Sequence, residues 1–288
     1  MKLSYSLKEM FFEHLTRFSA LLVLLLLVAI FVILFAKAYP AIDAFGLSFL
    51  TENRWAPNLE IFGGFSAIYG SFFSTLIAML LAVPVAIGIA IFLSEVAPER
   101  IKTPMGVSVE LLAAIPSVVY GMWGLFYFVP LVRDFTGGNG LGLFTAGFIL
   151  SLMILPFIAA ITRDSLNTTP KILKESAYAL GATKWDVIKN VMIPYAKAGI
   201  IGSVILALGR AFGETMAVTF VMGNVHNIPD SIFSAATSIP ATLANEFNEA
   251  DTELYYSSLF YLALILFVIS FTIITLAKFF FLKRRKKV

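Results

Sequence analysis

The sequence predicts an all-α integral membrane protein of about six transmembrane helices. Apolar residues make up 59% of the 288 residues and the mean hydropathy is +0.89, against roughly 45–50% apolar in soluble domains. Only 14% of residues are charged while 28 are Phe, so a single soluble globule could not keep this apolar surface from water. Six stretches reach the roughly 20 apolar residues that a helix needs to cross the hydrocarbon core.

The first stretch, Phe18 to Tyr39, carries near its end Ala36, Lys37 and Ala38, which resemble a small-x-small cleavage site after an apolar run. The run is longer than a signal core of about 7–15 residues and its leader carries Glu9 and Glu13, so it is expected to stay as a span. The second stretch is Ser66 to Ser94, the third Met105 to Val132 and the fourth Leu141 to Thr162. Each contains a proline, Pro84, Pro116 and Pro156, which removes a backbone hydrogen bond and favours a kink. The fifth is Tyr195 to Gly223 and the sixth Tyr255 to Leu282.

Charge gives the orientation. Of the 21 Lys and Arg, only Lys37, Arg54 and Arg133 fall on one side of the six spans, Arg210 falls inside a span, and the other 17 share the opposite side. The positive-inside rule therefore places both termini in the cytoplasm. Asp43, Glu52, Glu60, Asp134, Asp230, Glu246, Glu249, Asp251 and Glu253 fall on the outer loops. The net charge of +3 reports this topology rather than a nucleic-acid partner. The chain reads as a short N-terminus (1–17), one transmembrane domain (18–282) and a basic tail (283–288), whose KRRKK run suits a stop-transfer anchor better than a lipid-binding patch. Cys is absent and His14 and His226 lie far apart, so no disulfide or metal motif is present.

The loop 163–194 is punctuated like two short helices. Thr169 before Pro170 suits an N-cap and first turn, and Ile172, Leu173, Ala177 and Leu180 are spaced as one apolar face ending at Gly181. Thr183 with Asp186 approximates a capping box, after which Trp185, Ile188, Val191 and Met192 recur at helical spacing up to an expected break at Pro194. An amphipathic pair of this kind can dock into a partner's groove.

This loop resembles the cytoplasmic signature of the permeases of binding-protein-dependent ABC importers: E-A-A, three residues, G, nine residues, I, one residue, L-P. Here Glu175, Ser176 and Ala177 are followed by Gly181, then Val191, Ile193 and Pro194. Ser replaces the second family Ala, and Val and Ile are conservative changes. The resemblance implies a type I (MetI-like) permease fold with a coupling helix near Lys171 to Gly181, seated in an ATPase cleft through Glu175, Ala177, Gly181 and Pro194. The chain has no G-x-x-x-x-G-K-[ST] loop, so ATP and Mg are expected on a separate ATPase dimer and no cofactor on this chain.

Span five carries ALGRAFGETMAV, which in a continuous helix puts Arg210 and Glu214 one turn apart, where they can pair. Each charge costs roughly 2.5–3.5 kcal/mol near a helix centre, so both should face protein or a water-filled path. Gly209 and Gly213 let another helix or a solute approach closely. Arg suits an oxyanion because its planar guanidinium donates two parallel hydrogen bonds. Glu can accept a hydrogen bond from a protonated phosphate oxygen. An interhelical Arg–Glu clamp without solute contact would use the same residues.

G-R-A-x-G-E-T-[MT]-A is similar to a stretch in the permeases of high-affinity phosphate importers, of PstC and PstA types. FGGFSAIYGSFFSTL, LSEVAPE and ELLAAIPSVVYGMWGLF look like the C type. The resemblance implies contact of Arg210 and Glu214 with a phosphate ion, a paired PstA-type permease, an ATPase dimer and an extracytoplasmic phosphate-binding protein, in a bacterial inner membrane. Permeases for molybdate, sulfate or phosphonate stay open as alternatives. An intramembrane enzyme is disfavoured because the spans hold no His or Cys, and an ATP-independent channel would lack an ATPase partner.

Three weaker candidates remain. Ser117 beside Pro116 could bond a freed carbonyl, ranked first, or a solute. Glu110, near the inner end of span three, is expected to cap it or lie at the interface, ranked ahead of a gating role. The outer segment SIFSAATSIPATLANEF suits a short interfacial helix, and Glu246, Glu249, Asp251 and Glu253 read as a solvated acidic edge that could also dock the binding protein.

Overall fold

The computed structural model describes residues 7–282; Lys2 and the basic tail 283–288 lie outside the described residues. Helices carry the fold in the order α1 (Leu7–Phe45), α2 (Phe65–Ile91), α3 (Glu99–Ala113), α4 (Ser117–Trp123), α5 (Val129–Thr136), α6 (Leu143–Asn167), α7 (Lys171–Ala179), α8 (Lys184–Val187), α9 (Ile193–Phe212), α10 (Met216–Val221), α11 (Ile239–Glu246) and α12 (Glu253–Leu282). Five helical runs are long and apolar enough to cross a membrane, six if one bent pair counts as a span.

That bent pair corrects the expected continuous third span. Glu99–Ala113 and Ser117–Thr136 meet at 88°. Pro116 has no N–H to donate and disfavours helical backbone at Ile115, so the chain turns there and restarts at Ser117. Pro84 and Pro156 lie inside unbroken helices.

The fifth span is displaced from its expected limits. It starts at Lys184, runs through a π turn at Ile188–Met192 and continues to Phe212. Pro194 therefore does not break the chain. It occupies the first turn of α9, where a missing N–H is tolerated, and the π turn bridges the junction. The break falls later, at Gly213–Thr215, before the six-residue α10.

Small residues set the packing of α2. Ser66, Gly70, Ser74, Ala78, Ala82, Ala86 and Ala90 recur every four positions and all are buried, a stripe the hydropathy reading overlooked. Four residues advance a helix by about 400°, so the stripe winds by about 40° per step. Its first part meets the loop before α11, where a Cβ on Gly70 would lie 1.8 Å from the Thr237 carbonyl oxygen. Its middle packs on Ile149, Leu150, Met153 and Ile154 of α6. Ala90 joins a separate cluster with Leu166, Val187, Ile188 and Met192. With so little side chain between them, backbones approach closely and dispersion contacts are dense.

α1 stands apart. Its far third packs through Ala38 and Ala41 against Leu259, Leu262 and Ile265 of α12, around Phe49 and Phe62. From Phe18 to Ile33 this 39-residue helix is almost wholly exposed apolar surface, suited to lipid. At 1.5 Å per residue it is about 58 Å long, well beyond the roughly 30 Å hydrocarbon core.

Gly70→Ala is expected to destabilise the protein by about 1–3 kcal/mol, because the added methyl meets backbone that cannot give way. Gly88→Ala, with nothing within 4 Å of the added carbon, should be neutral or slightly stabilising. Thermal unfolding of both variants in detergent checks the contrast.

Candidate functional site

Arg210 occupies the last turn of α9 and is exposed on this chain, with its guanidinium carbon 6.0 Å from the centre of the Phe157 ring on α6. That separation allows a cation–π contact at the edge of its range. The expected helical pairing with Glu214 does not form. The helix ends at Phe212, and among the described residues no ion pair joins the two side chains. Glu214 instead turns to α10, where its Oε1 accepts the N–H of Ala217 at 3.2 Å. One of the orphan amides of that short helix is thereby satisfied. Among the described residues the second oxygen of Glu214 has no hydrogen-bond partner and Arg210 has no carboxylate partner.

α4 lies directly on α10. A Cβ on Gly121 would come within 2.9 Å of Ala217 Cα, and one on Gly124 within 2.8 Å of Ile149 and 3.0 Å of Val221. At Gly121 the backbones of α4 and α10 approach too closely for a side chain, whereas Gly124, the first residue of the π turn after α4, packs on side chains of Ile149 in α6 and Val221 in α10. Ser117, the first residue of α4, is half-buried, but its hydroxyl does not bond the carbonyl freed by Pro116. Tyr120 does that, its hydroxyl donating to the Leu112 carbonyl at 2.9 Å. Tyr120 also lies within the electrostatic reach of Arg210. The restart of the bent span and the break after α9 thus face each other beside one unpaired cation.

The 163–194 loop folds as two helices, with corrected details. Pro170 holds the cap position of α7, and the Thr169 hydroxyl is buried without a partner. Gly181 ends the turn with φ +85°, the left-handed region that favours glycine. The capping box is present: Asp186 N–H donates to Thr183 Oγ1 at 3.2 Å and Thr183 N–H to Asp186 Oδ2 at 3.1 Å. The expected single apolar face splits in two. Ala177 turns inward onto the cluster around Met192, while Ile172, Leu173 and Leu180 point away, Leu180 being 90% exposed and the nearby Trp185 60%. Glu175 is also exposed. Apolar side chains projected outward at this density mark a contact surface.

At the opposite end, α11 begins at Ser238, whose hydroxyl accepts from Ala241 N–H at 3.3 Å. Glu246 at its end is not part of a solvated edge. Its Oε2 accepts from Trp55 Nε1 at 2.5 Å and from Tyr255 hydroxyl at 2.8 Å, and its Oε1 lies 2.6 Å from His226 Nε2. The His226 ring stacks on Trp55 with centroids 5.3 Å apart. One carboxylate therefore ties together the segment after α1, the loop after α10, α11 and α12. Its partners lie 191, 20 and 9 residues away, which no sequence periodicity reveals. Glu110, exposed near the end of α3, accepts from the Arg163 guanidinium at 2.7 Å, a partner 53 residues away, and Arg163 also bonds Asp164.

The family model described as binding-protein-dependent transport system inner membrane component matches residues 61–288. A protein of Mesorhizobium japonicum, "Phosphate transport system permease protein PstC", is 48% identical over 97% of this chain and 91% of its own length. A Methanocaldococcus jannaschii protein, "Probable phosphate transport system permease protein PstC", is 36% identical over 95% and 93%. Among solved structures, the MetNI methionine ABC transporter in an inward-facing form aligns with TM-score 0.57 at 18% identity, covering 73% of this chain and 94% of that one. A bacterial ABC transporter importing the acidic polysaccharide alginate aligns with TM-score 0.58 at 15% identity, over 97% and 100%. These two show the fold alone.

Removing the Glu246 carboxylate leaves buried donors unpaired. Glu246→Ala is expected to cost about 1–3 kcal/mol, whereas Glu249→Ala on the exposed rim should stay within about 0.5 kcal/mol of the parent. Chemical denaturation of both variants measures the difference.

Proposed function

The chain belongs to the family of binding-protein-dependent transport system inner membrane components, and from that we propose that it is the transmembrane permease subunit of an ATP-driven phosphate importer, lining the phosphate path with a second permease. The observation that carries the reading is the unpaired Arg210 at the broken end of α9. A guanidinium there can donate two parallel hydrogen bonds to phosphate oxygens. The names of the relatives favour phosphate over molybdate, sulfate or phosphonate.

In this reading both termini lie in the cytoplasm of a bacterial cell, which the excess of Lys and Arg on that side supports. A PstA-type permease covers the exposed face of Arg210. ATP and Mg are held by a separate ATPase dimer, to which α7 and its loop couple through Glu175, Ala177, Gly181 and Pro194, with Glu175 and Leu180 on the outward side. An extracytoplasmic phosphate-binding protein delivers the ion at the face near Glu246. ATP closes the ATPase dimer, its clefts displace the coupling loops, and the helices around Arg210 open to the other side. No covalent step falls to this chain.

Glu214 supplies the selectivity. Its Oε1 is occupied by Ala217 N–H, so the second oxygen can accept the proton of hydrogen phosphate, whereas sulfate has none to offer. Ser117 at the start of α4 is a further donor on this path. Glu214→Gln keeps an amide oxygen for the cap and replaces the acceptor by a donor. Phosphate-over-sulfate discrimination in transport assays should fall about tenfold or more, the value of a hydrogen bond to a charged group; unchanged discrimination would sink the assignment.

A further inference from the structure

The coupling helix α7 is tied covalently to α6 through residues 168–170 and to α8 through the segment ending at Thr183. No chain connection ties it to α2. Its exposure pattern leaves two residues turned toward the protein, Lys174 and Ala177. Ala177 makes an apolar contact with the cluster below it. Lys174 forms an ion pair with Glu95, in the π turn Phe92–Val96 that ends α2. Both side chains are largely removed from solvent, with 19% and 15% of their surface exposed, so this pair is screened far less than a surface one.

The turn that carries Glu95 is itself held from two further sides. Ser94 Oγ donates to Asn167 Oδ1, at the end of α6, at 2.8 Å. The Lys102 ammonium, on α3, donates to the Ser94 carbonyl at 3.0 Å. One knot of side chains therefore gathers the ends of α2, α3 and α6 and offers α7 a single charged grip. The other charged groups of α7, Lys171 and Glu175, face outward.

We propose that Lys174 and Glu95 form a strut that carries displacement of the coupling helix to α2, α3 and α6 together, making both positioning residues for transport. The proposal rests on the reading of α7 as the ATPase contact. Without the strut α7 can pivot between the proline at its start and Gly181 at its end, and a push from the ATPase is absorbed in the loop. ATP is then hydrolysed with less movement of the helices around Arg210. Loss of structure would remove uptake and hydrolysis in proportion, whereas loss of the strut lowers the number of phosphate ions moved per ATP.

The test uses the complete importer in proteoliposomes, with phosphate uptake and ATP hydrolysis measured on the same samples. E95Q and K174Q are expected to lower the phosphate-to-ATP ratio at least threefold, as are the single reversals E95K and K174E. The double reversal E95K/K174E restores the pair and should return the ratio to within twofold of the parent. Crosslinking from L180C to the ATPase is followed in parallel on the otherwise unchanged chain. Absent crosslinking there overturns the coupling reading and the strut with it. Normal crosslinking together with an unchanged ratio in E95Q and K174Q, or a double reversal no better than the single reversals, overturns the strut alone.

Discussion

A guanidinium carried on a membrane-crossing helix must have protein or water around it, and the arrangement of the second half of this chain follows from that constraint. Had α9 run on through residue 214, Arg210 and Glu214 would sit on one face and neutralise each other. The chain instead leaves the helix after Phe212, Glu214 caps the next segment, and Arg210 remains an unpaired cation. Its own chain offers it one aromatic ring on α6 and the vicinity of Tyr120. Among the described residues nothing else completes its surroundings, and the exposed guanidinium is open to water or to a group from outside them.

Both breaks around that cation are stabilised by neighbouring groups. Inside hydrocarbon a free carbonyl or amide is expensive, so a broken helix survives only where side chains or close-packed backbone replace its lost bonds. At Pro116 the Tyr120 hydroxyl does this, and at α10 the Glu214 carboxylate does. Gly121 of α4 then lets the two interrupted segments lie against each other. The same constraint acts at the other end of the fifth span, where the Thr183–Asp186 box starts a single helical run from Lys184 to Phe212. That run of 29 residues spans about 43 Å and joins the proposed ATPase contact to the proposed anion contact by one stiff element.

Much of this was legible in the sequence because its causes are local. Apolar runs of sufficient length marked the spans, Gly181 marked a left-handed stop, and the spacing of Thr183 and Asp186 marked a cap. Arg210 was visible because a charge stands out in an apolar run. The breaks were harder to place, since a proline inside an apolar stretch can be absorbed, as at Pro84 and Pro156, or can turn the chain, as at Pro116; the outcome depends on whether a neighbour such as Tyr120 is near. Glu246 with Trp55, His226 and Tyr255, and Glu110 with Arg163, are joined by the folding of distant segments, and no spacing in the sequence carries that information. The small-residue stripe of α2 was in plain view, but a hydropathy scan weighs alanine by polarity and not by the space it leaves.

The central claim is that Arg210 meets the transported anion directly. A structure of the assembled importer with phosphate trapped in the membrane path tests it. Phosphate oxygens are expected within about 3 Å of the Arg210 guanidinium nitrogens, with the free oxygen of Glu214 facing the same ion. Phosphate bound elsewhere along the path, with Arg210 held by a carboxylate of the partner permease, would contradict the claim and make the residue an interhelical clamp.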